Sequence, residues 1–200
     1  LSGLLVLLHG WGCDAAMWDR VVPLLPRFDV IRLDRGYFGA QRQCDRPDRA
    51  CVAVGHSLGA MWLARMWGDV PLVAINGFDR FCGQDGVPSR VLARMQTRFA
   101  QTPGAVLDDF RLTVGAGPTP AMPSPQPLAE DLALLADDSA PPLRKAPLLV
   151  LQAQDDPLLP AALRDGTFGG LNSRSRADGG HMLPLTQPAW CAAQIEAFAR

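Results

Sequence analysis

The chain has 200 residues, 48% of them hydrophobic and 20% charged, with a formal net charge of −1 at pH 7. That length suits one domain, or one domain carrying a small lid, and the balance supports a sizeable globular core. So small a charge gives no field that would select nucleic acid or an anionic membrane, and no apolar run reaches the roughly 18 residues of a membrane span.

In chain order, Leu4 to Leu8 is a short, wholly apolar run ending at His9-Gly10, the pattern of a buried strand. Asp14 is placed to cap a helix in which Met17, Val21, Leu24 and Leu25 recur at helical spacing. Val30 to Leu33 reads as a second strand ending at Asp34, and Cys51 to Val54 as a third running into Gly55. A helix through Leu58, Met61, Trp62 and Arg65 follows at once. Leu72 to Ile75 is a fourth strand, Leu148 to Leu151 a fifth after Pro147, and Ser173 to Ala177 a weak sixth. Pro188 to Arg200 reads as a closing helix with Trp190, Ile195 and Phe198 on its apolar side. Apolar strands alternating with amphipathic helices predict an α/β fold with a mostly parallel sheet covered on both faces. The stretch from Asn76 to Arg144 breaks the rhythm with helical patterns and a Pro-rich loop, Gly117 to Pro127. It reads as a lid inserted between two strands, although the Pro-rich loop alone also reads as a disordered linker.

The chemistry gathers at three places. Gly55-His56-Ser57-Leu58-Gly59 is a GxSxG turn between an apolar strand and a helix, where a serine hydroxyl stands exposed at the positive end of the helix. His181, after Gly179-Gly180, is the histidine placed late in the chain, and it reads as the base that a nucleophilic serine needs at neutral pH. A base needs a carboxylate to fix its tautomer, and the strand at Leu148 to Leu151 runs into Asp155-Asp156-Pro157. Asp156 is preferred, Asp155 reads as a solvated neighbour or helix cap, and Asp79 is a remoter candidate. The loop His9-Gly10-Trp11-Gly12 offers backbone N–H groups, so Trp11 and Leu58 are assigned as main-chain donors to an oxyanion. His9 reads as a brace for that loop, and His56 as a residue that shapes the turn.

The five cysteines, Cys13, Cys44, Cys51, Cys82 and Cys191, are odd in number and lack CxxC spacing. They argue against a disulfide framework or a metal site and point to a reducing cytoplasm. No signal peptide is visible, though the chain opens at Leu1, already inside an apolar run. Lys145 is the sole lysine among many arginines, a bias that a G+C-rich genome explains without invoking function.

Together these residues resemble the α/β-hydrolase superfamily, and within it the pimeloyl-[acyl-carrier protein] methyl ester esterases of biotin synthesis. The similarity lies in Leu7 to Asp14, which holds HGWG, in Gly55 to Gly59, in Leu151 to Pro160, and in Gly180-His181. The resemblance implies the α/β-hydrolase fold, with residues 1–76 and 144–200 as core and 77–143 as a helical lid. It implies a start near the family's third strand, and it puts the acid on Asp156. Arg35 to Gly39 only partly matches the family's Pro-Gly-x-Gly loop.

The resemblance further implies a serine carboxylesterase that needs no metal or organic cofactor, acting on a small acyl ester delivered by an acyl-carrier protein. Arg90, Arg94 and Arg98 form one stripe at helical spacing, with Phe99 on the adjoining apolar face. Such a stripe beside an acyl channel suits an acidic carrier, and it equally suits a solvated helix face. Arg111 extends the patch, although Asp108 and Asp109 oppose it. A general short-chain esterase, lactonase or thioesterase is the alternative on the same scaffold, and a non-catalytic binding protein the alternative from another class.

Overall fold

The computed structural model describes residues 3–43, 45–137, 139, 144–170 and 172–200. In chain order its elements are β1 (Gly3–Leu8), β2 (Phe28–Leu33), β3 (Cys51–His56), α1 (Leu58–Met66), β4 (Leu72–Ile75), α2 (Ser89–Gln101), α3 (Pro103–Val114), α4 (Pro125–Leu135), β5 (Leu148–Ala153), α5 (Ala161–Gly166), β6 (Ser173–Arg176), α6 (Leu183–Thr186) and α7 (Pro188–Ala199). The strands form one six-stranded sheet in the order β2-β1-β3-β4-β5-β6, parallel at every pairing.

Side chains alternate across each strand, so the apolar runs feed two cores. Leu5 and Leu7 of β1 join Val54, Val73 and Leu149 on one face, under Trp18, Cys191 and Ile195. Leu4, Val6 and Leu8 face the other way with Ala53, Leu72 and Ala74, against Ala60, Leu63 and Trp67. Each fully buried aliphatic side chain in these layers contributes about 1.5–3 kcal/mol. A third cluster lies over the C-terminal strand ends. There Leu92, Phe99, Leu107, Leu128 and Leu132 of α2, α3 and α4 pack on Trp11, Leu58 and Met61.

The predicted strands are all present, and the closing helix spans Pro188–Ala199. One predicted element is corrected. The segment after β1 is two 3-10 turns, Ala15–Trp18 and Val22–Leu24, and not an α-helix. Asp14 does cap it, accepting from the amide of Ala16 at 3.0 Å. Pro23 and Pro26 then stop propagation, because proline lacks the N–H a helix needs, and Leu24 is left 45% exposed. The Pro-rich segment is seated and not a loose linker: the Ser124 amide donates to the Tyr37 carbonyl at 2.7 Å, and α4 starts at Pro125. Proline suits that position, since the first helical amides have no intrahelical acceptor.

Candidate active site

Ser57 sits at the end of β3, next to the centre of the sheet, with φ 53° and ψ −124°. This conformation is strained for a residue with a Cβ and persists only when its surroundings enforce it. Two glycines make room for it. A Cβ on Gly55 would lie 2.4 Å from the Ala60 backbone, and one on Gly59 would lie 2.5 Å from the carbonyl oxygens of Leu8 and His9. The sharp turn thus lets α1 start directly above the strand ends, with Leu58 as its first residue. The Leu58 amide belongs to the first turn, whose N–H groups have no intrahelical acceptor.

His181 lies in the loop after β6, fully enclosed, with its Nδ1 2.8 Å from Asp156 Oδ2. Asp156 follows β5, and its other oxygen accepts from the amides of Leu158 (2.8 Å) and Leu159 (3.2 Å). Burial opposes a charge on Asp156, but the His181 ring and the two amides outweigh it and hold the carboxyl below its ordinary value. A carboxylate there makes Nδ1 the donor and leaves Nε2 as the free lone pair. Among the described residues, Nε2 is buried without a hydrogen-bond partner. An orphaned basic nitrogen with an oriented ring is the form a general base takes before it receives a proton.

The His181 loop is held by three further side chains. Asn76, at the end of β4 with φ 41°, donates through Nδ2 to the carbonyls of Gly180 and His181, both at 2.8 Å. Its Oδ1 accepts from the Ala153 amide at 3.0 Å, so one side chain joins β4, β5 and the histidine loop. His56 Nε2 lies 2.9 Å from the same His181 carbonyl and must donate to it. Burial first, and then the neighbouring His181, push the His56 ring down to about 3, so it stays neutral. Asp155 accepts from the amides of Gly179 (3.2 Å) and Gly180 (2.7 Å). It is a solvent-exposed neighbour, as expected, that anchors the loop and caps no helix. Asp79 instead meets Thr167, whose hydroxyl donates to it at 3.3 Å.

On the other side of Ser57, a Cβ on Gly10 would lie 2.9 Å from the Ser57 Cβ, so the loop after β1 runs against the serine. His9 lies beneath that loop, with Nδ1 2.9 Å from the Gly10 carbonyl and Nε2 accepting from the Arg35 amide at 3.0 Å. Above Ser57 is an apolar pocket of about 490 Å³, counting space open to solvent. Its walls include Trp11, Phe78, Met95, Phe110, Leu132 and Leu158, so α2, α3 and α4 roof the serine.

Arg90, Arg94 and Arg98 lie exposed along α2, and Arg98 is paired with Asp109 of α3 at 2.9 Å. Phe99 is buried edge-on to Trp11, with centroids 5.9 Å apart, behind the pocket and not on its wall. Arg111 does not extend the surface patch. It is buried and bonded to main-chain carbonyls. Asn76 carried no sequence signal of its role beyond an asparagine directly after a strand, a residue type that tolerates positive φ. Among the described residues no group of His, Cys, Asp and Glu could hold a metal ion, and no helix is long and apolar enough to cross a membrane.

Comparison with known proteins agrees with this architecture. The chain is 28% identical over 238 aligned positions, covering 98% of it, to the "Biotin biosynthesis bifunctional protein BioHC" of Cellvibrio japonicus. It is 30% identical over 132 positions, covering 55% of it, to a "Pimeloyl-[acyl-carrier protein] methyl ester esterase" of Klebsiella pneumoniae. The chain spans about half the length of the curated relatives it matches, 47% of the first and 49% of the second. Among solved structures, the bromoperoxidase of Bacillus anthracis superposes with a TM-score of 0.76 at 16% identity, over 99% of this chain and 92% of that one. The profile described as "Alpha/beta hydrolase family" matches residues 5–194, and the chain belongs to that family.

Proposed function

We propose that the chain is a serine carboxylesterase whose substrate is the methyl ester of a pimeloyl group carried on an acyl-carrier protein. The observation that supports it most is the oriented His181 ring, paired with Asp156 and with an Nε2 that has no hydrogen-bond partner among the described residues, beside a strained Ser57 that opens into an apolar pocket. In this reading Ser57 Oγ attacks the ester carbon while its proton passes to His181 Nε2. The carbonyl oxygen becomes an oxyanion held by the amides of Trp11 and Leu58. The C–O bond to the alcohol then breaks, and His181 returns the proton to the departing oxygen, releasing methanol. Water, deprotonated by His181, cleaves the acyl-enzyme and restores Ser57.

The substrate rests on weaker support: the printed names of the relatives, the apolar pocket, and the exposed Arg90 and Arg94 near its mouth beside Val91. An acidic carrier would meet that arginine face while its acyl chain entered the pocket under residues 77–143 acting as a lid. The reading goes with a cytoplasmic setting and no cofactor. The Arg98–Asp109 pair favours a second reading, a general short-chain esterase, because it removes one arginine from the carrier-binding stripe.

Hydrolysis of the carrier-protein methyl ester and of p-nitrophenyl butyrate, each by wild type and Ser57→Ala, separates the two. Serine-dependent turnover of the carrier ester at low micromolar concentration supports the first reading. Serine-dependent turnover of the small ester alone supports the second.

A further inference from the structure

The loop assigned to the oxyanion follows β1, yet much of what fixes it comes from the lid helices. The Gly10 carbonyl lies 2.9 Å from His9 Nδ1 and accepts from the Cys13 amide at 3.3 Å. A trans peptide is planar, so the Trp11 N–H points opposite to that carbonyl, and fixing one aims the other. The next two residues are held from above. The Trp11 indole N–H donates to the Leu128 carbonyl of α4 at 2.8 Å. Arg111, near the end of α3, donates to the Gly12 carbonyl at 2.5 Å.

The same guanidinium donates to the carbonyls of Ala116 (2.9 Å), Gly117 (3.1 Å) and Pro118 (2.9 Å), the turn that leaves α3. Among the described residues its hydrogen-bond partners are all main-chain oxygens. A buried guanidinium spent on four carbonyls fixes chain geometry, since its planar fork holds several acceptors in one arrangement. Gly12 has φ +68°, and a Cβ there would lie 2.9 Å from Leu107 Cδ1 of α3. Loop and lid therefore touch directly, with no room for a side chain between them.

We propose that Arg111 is a positioning residue for the oxyanion-forming step, clamping the Gly12 carbonyl to the turn after α3 so that the oxyanion loop is aligned only while the lid is seated. The inference rests on the serine-esterase reading above. Substrate that lifts the lid then also loosens the oxyanion site, and turnover begins once the lid returns.

The test uses the full chain, p-nitrophenyl butyrate as a small ester, and active sites counted by fluorophosphonate titration. Arg111→Ala is expected to lower kcat per titrated site roughly 10- to 100-fold, the size of a misaligned catalytic group, with KM changed less than about threefold. It is expected to weaken a trifluoromethyl ketone, whose tetrahedral adduct carries the oxyanion, by a similar factor. Ethylguanidinium is expected to restore part of kcat. Arg111→Lys, which keeps the charge but not the fork, is expected to fall between, and it serves as the test if Arg111→Ala does not fold. Asp69→Asn, which breaks the Arg46–Asp69 ion pair away from both loop and lid, is the control for general destabilisation. Folded variants with wild-type kcat per site and wild-type ketone affinity overturn the inference. If wild type itself shows no Ser57-dependent hydrolysis, the underlying esterase reading fails instead.

Discussion

Asn76 Nδ2 donates to the main-chain oxygen of His181 at 2.8 Å, across the gap between the end of β4 and the loop after β6. The backbone of the proposed base is therefore tied to the sheet by a side chain distinct from the one that orients its ring. Asn76→Asp keeps the acceptor for Ala153 but replaces the donor with a carboxylate facing two carbonyls. It is expected to lower kcat roughly 10- to 100-fold through displacement of His181. Asn76→Ala also loses the bond to Ala153 and puts Ala at φ 41°, which costs about 2–4 kcal/mol in all. Urea unfolding beside steady-state kinetics on a small ester checks both.

The two neighbouring aspartates have different duties. Asp156→Asn is expected to cut kcat about 10⁴-fold with the fold intact, because an amide favours the wrong imidazole tautomer. Asp155→Asn removes only the charge that anchors the Gly179 and Gly180 amides, and a loss under about tenfold is expected. Equal losses in the two variants, measured as kcat on one substrate, would contradict the assignment.

His56 gives the fold an acid limit. Its folded-state value, near 3, lies below its ordinary value of 6.5 because burial and His181 disfavour its cation. Between those values the unfolded chain binds the extra proton, so stability is present above pH 6.5 and is lost as pH falls toward 3. The slope from this group is at most about 1.4 kcal/mol per pH unit. His56→Gln should flatten the pH dependence of unfolding in that window, above whatever Asp156 contributes at lower pH. Unchanged slopes in denaturant melts from pH 7 to pH 4 would refute it.

Helix α4 is also fixed to the segment after β2 through Asp131. Its carboxylate takes a two-pronged bond from Arg35, at 2.8 and 2.6 Å, and a bond from the Tyr37 hydroxyl. Burial, and then the Asp131 charge, push the Tyr37 hydroxyl well above its ordinary value, so it stays a donor. Asp131→Ala strands Arg35 and Tyr37 without their acceptor and is expected to destabilise by about 3–5 kcal/mol. Asp131→Asn should lose less, since an amide oxygen still accepts one bond. Midpoints of urea unfolding at constant m report both.

The sequence made the strands and the candidate site residues legible because each has a local signature. The run Leu4 to Leu8 is apolar at every position, and Gly55 and Gly59 bracket a serine that needs both of them. His181 and Asp156 were readable from chain order and from the carboxylates at the end of a strand. The parts that were not legible are set by tertiary contacts. Arg111 looks like one more surface arginine until α3 is placed against Gly12, and Asn76 looks like an ordinary residue after a strand. Met17, Val21 and Leu25 keep helical spacing and are buried, yet Pro23 and Pro26 break their segment into turns. Periodicity reported which side chains face the core, while the missing amide hydrogens decided the backbone.

The most direct test of the serine mechanism is intact-mass analysis of the folded protein after treatment with a fluorophosphonate. One adduct, mapped to Ser57, absent in Ser57→Ala and strongly slowed in His181→Ala, is the expected result. Folded wild type that takes up no label, or takes it up at another residue, would contradict the claim that Ser57 is a nucleophile activated by His181.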